Sequence, residues 1–363
     1  MVAGPPALAE TVERAGYRFW LGEAPPEDEL ASTWARVPTV SREEAEAIVV
    51  GEIFAGLNVR AMLPSLNAVC AEWRPELVLR DPSEFASAFA AERHGIRHAR
   101  IAIGLLTSER TALSIAQPVL EDRLPGITDR IWKSPYLSLF PATLEDPRVA
   151  APPAVHRFRE PVTEVPPEPL PDWWPDDAGP LIYVSFGSVT GSLPIAGPVF
   201  AAVFEAAAGL QARVLLTVGT ETDVDALGPA PPNVHVERWV PQATVFGHAA
   251  AVVCHGGSGT TLGALAAGLP LVVVPLFADQ PENAHRVAAV GAGIAVEPDP
   301  EKADEPIRSH VDPVALRAAI EEVVGDGAYG RTARQLAAEL HALPSTEAAL
   351  TTLAATQSSP ARR

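Results

Sequence analysis

Residues 249–275 read AAAVVCHGGSGTTLGALAAGLPLVVVP. An apolar run ends at His255, three glycines follow at 256, 257 and 259, a helix-like run comes next, and a second β-branched run closes the stretch. Two continuous apolar strands separated by one helix fit as parallel neighbours in a sheet covered on both faces. The same alternation runs through the second half of the chain. PLIYVSFGS, RVLLTVG, NVHVERWV, AAVVCH and LPLVVVP read as strands; IAGPVFAAVFEAAAGL, PQATVFGHA, TTLGALAAG and ENAHRVAAVGAG read as helices. This predicts an α/β domain with a doubly wound parallel sheet.

The first half is also α/β, though less regular. Residues 42–73 read as mostly helical, PELVLRDPSE as strand then loop, EFASAFAAERHG as helix and IRHARIAIG as strand. The chain opens on a short strand that passes directly into a helix. Between the halves, residues 162–180 (VTEVPPEPLPDWWPDDAGP) hold six prolines and little periodicity, which marks a linker. The expected organisation is a first domain over 1–161, a linker over 162–180, a second domain over 181–340, and a C-terminal helix and tail over 341–363.

The formal charge is −18, a field that repels nucleic acid and anionic membrane surfaces. Two cysteines, Cys70 and Cys254, give no disulfide framework and fit a reducing, cytoplasmic setting. The sequence shows neither a leader pattern nor an uninterrupted apolar run of about 18 residues, so no stable membrane insertion is expected. Apart from Lys133 and Lys302 every cation is Arg, and with abundant Ala and Pro this suggests a GC-rich bacterial genome.

The turn after the 250–255 strand carries the chemistry. The first N–H groups of a helix lack internal acceptors and sit at the positive end of its dipole. Gly256, Gly257 and Gly259 remove the Cβ atoms that would hold a phosphate away. Ser258 and Thr260 can cap the helix or donate to a phosphate oxygen, and His255 stands at the carboxyl end of the strand, where open sheets bind ligands. Taken alone, the pattern fits a capped βα turn equally well. The dinucleotide fingerprint fails because Leu262 occupies the third glycine position, and Cys254 is expected in the core. Two further clusters end strands of the same sheet: RWVPQ, with Trp239, Val240 and Gln242, and FADQPEN, with Asp279 and Gln280. An Asp–Gln pair suits the vicinal hydroxyls of a sugar.

In this order WVPQ, HGGSGTT, GLPLVVVP and ADQPENA resemble the nucleotide-sugar-dependent glycosyltransferases of the plant and bacterial natural-product type. The resemblance implies two doubly wound Rossmann-like domains facing across a cleft, the GT-B arrangement. It assigns the nucleobase to Trp239 and Val240, the base and pentose to Gln242, and the diphosphate to His255, Gly256, Gly257, Ser258, Gly259 and Thr260. Asp279 and Gln280 would hold sugar hydroxyls, and Ser188 would lie near the phosphates. Where ribose-nucleotide enzymes of the family often carry a glutamate, this chain has Gly263, which favours a dTDP-sugar over a UDP-sugar. No cofactor or metal is expected beyond the donor co-substrate. The implied reaction is inverting transfer to a hydroxyl of a hydrophobic aglycone, with the acceptor near Ile48–Leu66 or that stretch serving only as helix packing. The family base is a histidine following the first strand of the first domain, oriented by an aspartate that Asp81 matches; by itself Asp81 equally suits a helix cap. That histidine has no match here. His94, His98 and His156 lie in no corresponding motif, so the first domain is expected to lack its opening β-α-β unit of about 30 residues or more. The open alternatives are an impaired nucleotide-sugar-binding protein, or an epimerase or cell-wall glycosyltransferase of the same fold.

Overall fold

A computed structural model describes residues 1–160, 170–174, 179–187, 196–297 and 311–358. The chain forms two compact units. One comprises Met1–Leu139, Pro147–Phe158 and Glu347–Arg363; the other comprises Phe140–Asp146 and Arg159–Thr346. The boundaries therefore differ from the expected contiguous domains. Residues 140–146 belong with the second unit, and the helix Thr346–Ser358 sends Ala349 and Leu353 into a cluster with Ala99, Leu137 and Phe158 of the first. Most of the expected linker lies outside the described residues.

The first unit holds two separate parallel sheets. β1 (Val2–Gly4) pairs with β2 (Phe19–Leu21), and β3 (Leu77–Arg80), β4 (Arg97–Ile101), β5 (Tyr136–Ser138) and β6 (Val155–Arg157) pair in chain order. As the opening residues predict, β1 leads through a short turn into the helix Ala9–Arg14. Register aligns Arg80, Arg100 and Tyr136 across β3, β4 and β5. All three are buried, and Arg100 meets the buried Glu109 at 3.5 Å while Tyr136 donates to Glu109 at 2.8 Å. A buried charge is tolerated only when paired in this way.

The helical reading of 42–73 holds, with one difference. The helix is continuous from Arg42 to Trp73, and its hydrogen bonding is of the wider π type over Ala47–Asn58. Joined in this way it is long and apolar enough, by length and composition, to cross a membrane. Its Val59, Met62, Leu66, Val69 and Cys70 are nevertheless packed in the core of the unit, against Phe85 and Phe89.

The second unit bears out the alternation. β7 (Leu181–Ser185), β8 (Arg213–Thr217), β9 (Val234–Glu237), β10 (Ala249–Cys254), β11 (Leu271–Val273) and β12 (Gly293–Ala295) form one parallel sheet in the order β12-β11-β10-β7-β8-β9. The order reverses between β7 and β10, the switch point where strand ends splay and leave room for a ligand. β10 is buried along Ala251–Cys254 because helices cover both faces.

Candidate functional site

The glycine turn follows β10 at the switch point. Gly256 adopts φ +86°, and a Cβ there would come within 2.8 Å of Val273 and 2.9 Å of the Gln280 carbonyl. Gly257 is the N-cap of the nine-residue helix Ser258–Ala266 and brings no side-chain cap. The first helical bond runs from Thr261 N–H to the Gly257 carbonyl at 3.0 Å. The N–H groups of Ser258, Gly259 and Thr260 thus precede the ladder, at the positive end of the helix. Around Gly259 the space is open to 4 Å.

His255 is held by glycines from both sides. A Cβ at Gly257 would lie 2.3 Å from its Nε2, and one at Gly187 would lie 3.0 Å from its Cε1. Gly187 also has φ +78°, so both backbone angle and space demand glycine there. Burial lowers the imidazole pKa, opposed by the charge of Asp279 and a backbone hydrogen bond at Ser185. The ring is therefore neutral at pH 7, with Nδ1 buried and unpartnered. Cys254 is fully buried, which pushes its thiol up to about 11 and leaves it a core residue as expected.

Asp279 faces the same turn. Its Oδ2 accepts from Ser258 Oγ at 2.9 Å and from Asn283 Nδ2 at 3.1 Å. Ser258 therefore neither caps its helix nor stands free for phosphate. Gln280 opens the helix Gln280–Ala289. It is 4% exposed, and its Oε1 accepts from the N–H groups of Leu276 (2.8 Å) and Phe277 (3.0 Å). That oxygen satisfies a loop whose Ala278 has φ +56°. The backbone N–H groups of a buried loop need acceptors before any ligand does.

Trp239 is 65% exposed after β9, an indole face open to a ligand. Val240 is next to it and half-buried. Gln242 opens the helix Gln242–Phe246, and its Nε2 lies 3.4 Å from Tyr183 Oη, 3.5 Å from Ser185 Oγ and 3.3 Å from Thr260 Oγ1. Tyr183 Oη in turn lies 3.0 Å from Thr217 Oγ1. Strand β7 and the glycine-turn helix thus converge on one amide, and β8 joins them through the Tyr183 hydroxyl. A Cβ at Gly263 would meet the Phe246 ring at 3.0 Å, so that ring already fills the space beside position 263. Ser188 lies outside the described residues.

In the first unit Asp81 follows β3 and is exposed. Its Oδ1 accepts from Ser83 N–H at 2.7 Å, so it shapes the loop; the N-cap position of the following helix is Phe85, and the Glu84 carboxylate accepts from Ser87 N–H in its first turn. Arg80 braces that loop by donating to the carbonyls of Asp81, Pro82 and Glu84 at 3.1–3.2 Å. His98 lies 3.3 Å from Glu92, and burial, with the nearby charges of Arg80, Arg100 and Arg130, pushes its pKa down to about 4. Among the described residues no histidine bonds to Asp81. A groove of about 480 Å³ on this unit is lined by Thr107, Arg110, Thr111, Ser114, Ile115 and Val149.

Sequence reasoning overlooked Asn283, Gly187 and Tyr183. The signal for Asn283 was its place four residues after Asp279, one turn along a helix.

Comparison with known proteins fits this geometry. The pattern described as erythromycin biosynthesis protein CIII-like, C-terminal domain, matches residues 201–355, and the corresponding N-terminal domain matches 32–124. The L-demethylnoviosyl transferase of Streptomyces niveus is 30% identical over 317 residues, 85% of this chain and 78% of that protein. The elloramycin glycosyltransferase of Streptomyces olivaceus is 31% identical over 296 residues, 80% of this chain and 71% of that protein. The solved structure of the calicheamicin glycosyltransferase CalG4 superposes with a TM-score of 0.74 at 24% identity, covering 99% of this chain and 91% of that one.

Proposed function

This chain belongs to the erythromycin biosynthesis protein CIII-like family of natural-product glycosyltransferases, and on that premise we propose how it works. Its second unit takes a nucleoside-diphosphate sugar, dTDP-linked in preference to UDP-linked, and the sugar passes with inversion to a hydroxyl of a hydrophobic aglycone. The observation that carries this reading is His255, slotted between Gly187 and Gly257 at the mouth of the Ser258 helix.

In the proposed reaction the acceptor oxygen passes its proton to a base beside Asp81, or to water there, and bonds to the anomeric carbon. The bond from that carbon to the diphosphate breaks, and negative charge gathers on the leaving oxygens. The N–H groups of Ser258, Gly259 and Thr260 and the His255 imidazole are fixed donors for that charge, and no metal is invoked. Trp239 stacks on the base, and Asp279 accepts from sugar hydroxyls. Gly263 supports the dTDP preference: it provides no carboxylate for a ribose 2′-hydroxyl, and Phe246 occupies the space one would need. The groove beside Ile115 and Val149 suits an apolar acceptor, and Asp81 is the carboxylate that would orient a base.

A second reading, donor binding without efficient transfer, is favoured by the lack of a bonded histidine at Asp81 among the described residues. Titration with dTDP and UDP tests the site in either case, and dTDP is expected to bind more tightly. No binding of either nucleotide would refute the proposal. Formation of a glycosylated product from an aromatic polyketide acceptor separates transfer from binding.

A further inference from the structure

Asn283 is fully buried, one helical turn after Asp279. Its amide nitrogen carries two hydrogens. They meet the Gly256 carbonyl at 2.7 Å and Asp279 Oδ2 at 3.1 Å, with Ser258 Oγ at 3.5 Å. Ser258 Oγ itself donates to that same Asp279 oxygen at 2.9 Å. Two protein donors therefore hold one oxygen of the carboxylate. An ionised carboxylate has acceptor capacity on both oxygens, so Oδ1 is left for hydroxyls from a ligand.

A half-exposed aspartate beside an open turn would ordinarily sample several rotamers, and fixing one at the moment of binding costs free energy. We infer that Asn283 is a positioning residue of the donor site. It locks Asp279 in the orientation that meets the sugar, and through the Gly256 carbonyl it makes that orientation part of the diphosphate turn. Because Gln280 Oε1 is committed to Leu276 and Phe277, the acceptor this Asp–Gln pair offers the sugar is Asp279 Oδ1. This rests on the proposed role of Asp279.

The test is a comparison of two dissociation constants, for dTDP-glucose and for dTDP, in the full-length protein. Their ratio cancels any general effect on the diphosphate turn. Asn283→Ala is expected to raise the ratio about tenfold, and to add nothing further in an Asp279→Ala background. An unchanged ratio in Asn283→Ala overturns the inference, as does an equal rise in both backgrounds. Should Asn283→Ala fail to fold, Ser258→Ala removes the other donor to the same oxygen. A rise of about threefold is then expected, and an unchanged ratio overturns the inference. A wild-type ratio in Asp279→Ala alone would instead remove the sugar-binding role of Asp279 itself.

Discussion

Substitution of Gly257 by alanine is a direct test of how His255 is held. The added Cβ would fall 2.3 Å from His255 Nε2 and 2.8 Å from Cε1, well inside contact distance. The backbone offers no objection, since Gly257 has φ −61° and ψ 139°, angles any residue adopts. All of the strain therefore falls on the imidazole, which must leave its slot. A hydrogen bond to a charged ligand contributes about 1.5–3 kcal/mol. Losing it weakens dTDP binding roughly ten- to hundredfold. Isothermal titration of Gly257→Ala, His255→Ala and the double variant supplies the assay. With the ring already removed, the extra methyl has nothing to strike, so the double variant should bind like His255→Ala. A full, additive Gly257→Ala penalty in the His255→Ala background would refute the steric argument. Gly259→Ala is the companion case. Its Cβ meets no protein atom within 4 Å, so stability should hold, and a drop in dTDP affinity would report the ligand's own approach.

Burial and the neighbouring arginine charges hold the His98 pKa near 4, below its ordinary 6.5, so the unfolded chain binds a proton between those values that the folded chain does not. Stability should thus fall by about 3 kcal/mol as pH drops from 6.5 towards 4. Urea titrations of His98→Gln should lose that slope, and an unchanged slope would count against it. Burial also lowers the His255 pKa, and a bound diphosphate would raise it, so binding takes up a proton and the share of dTDP affinity lost in His255→Gln should increase as pH falls. An equal wild-type to His255→Gln affinity ratio at pH 5.5 and 7.5 would contradict this. Trp239→Ala removes an exposed indole, so melting temperature should stay put while dTDP affinity drops by about 1–3 kcal/mol of stacking. A variant that binds dTDP normally would take Trp239 out of the site.

The second unit was legible because its strands are continuous apolar runs separated by helix-length stretches, a pattern with few alternative folds. The strand that escaped notice, β12, has three residues and opens on a glycine whose Cβ would collide with the Leu271 carbonyl; it reads as a helix end. β5 and β6 are equally short. The C-terminal helix was visible as an Ala-rich segment, but composition of that kind gives no hint that Ala349 and Leu353 face Leu137 and Phe158. The π-type bonding over 47–58 likewise leaves no periodic trace. At the site, glycine spacing and the strand-end histidine carried their own chemistry. The loop role of Gln280 was not legible, because a free loop N–H and a sugar hydroxyl present the same demand to an amide oxygen. Which of them prevails depends on the turn at Ala278.

The chain passes between its two units four times, at residues 139–140, 146–147, 158–159 and 346–347. Neither unit is a single stretch of sequence. An exchange of donor specificity with a relative through one junction near residue 170 would graft a foreign C-terminal helix onto the Ala99–Leu137–Phe158 patch. Recombination between genes of this kind, natural or engineered, is therefore constrained at both ends. A functional hybrid needs either a second junction near residue 346, returning the native helix to its own unit, or a parent whose last helix already fits.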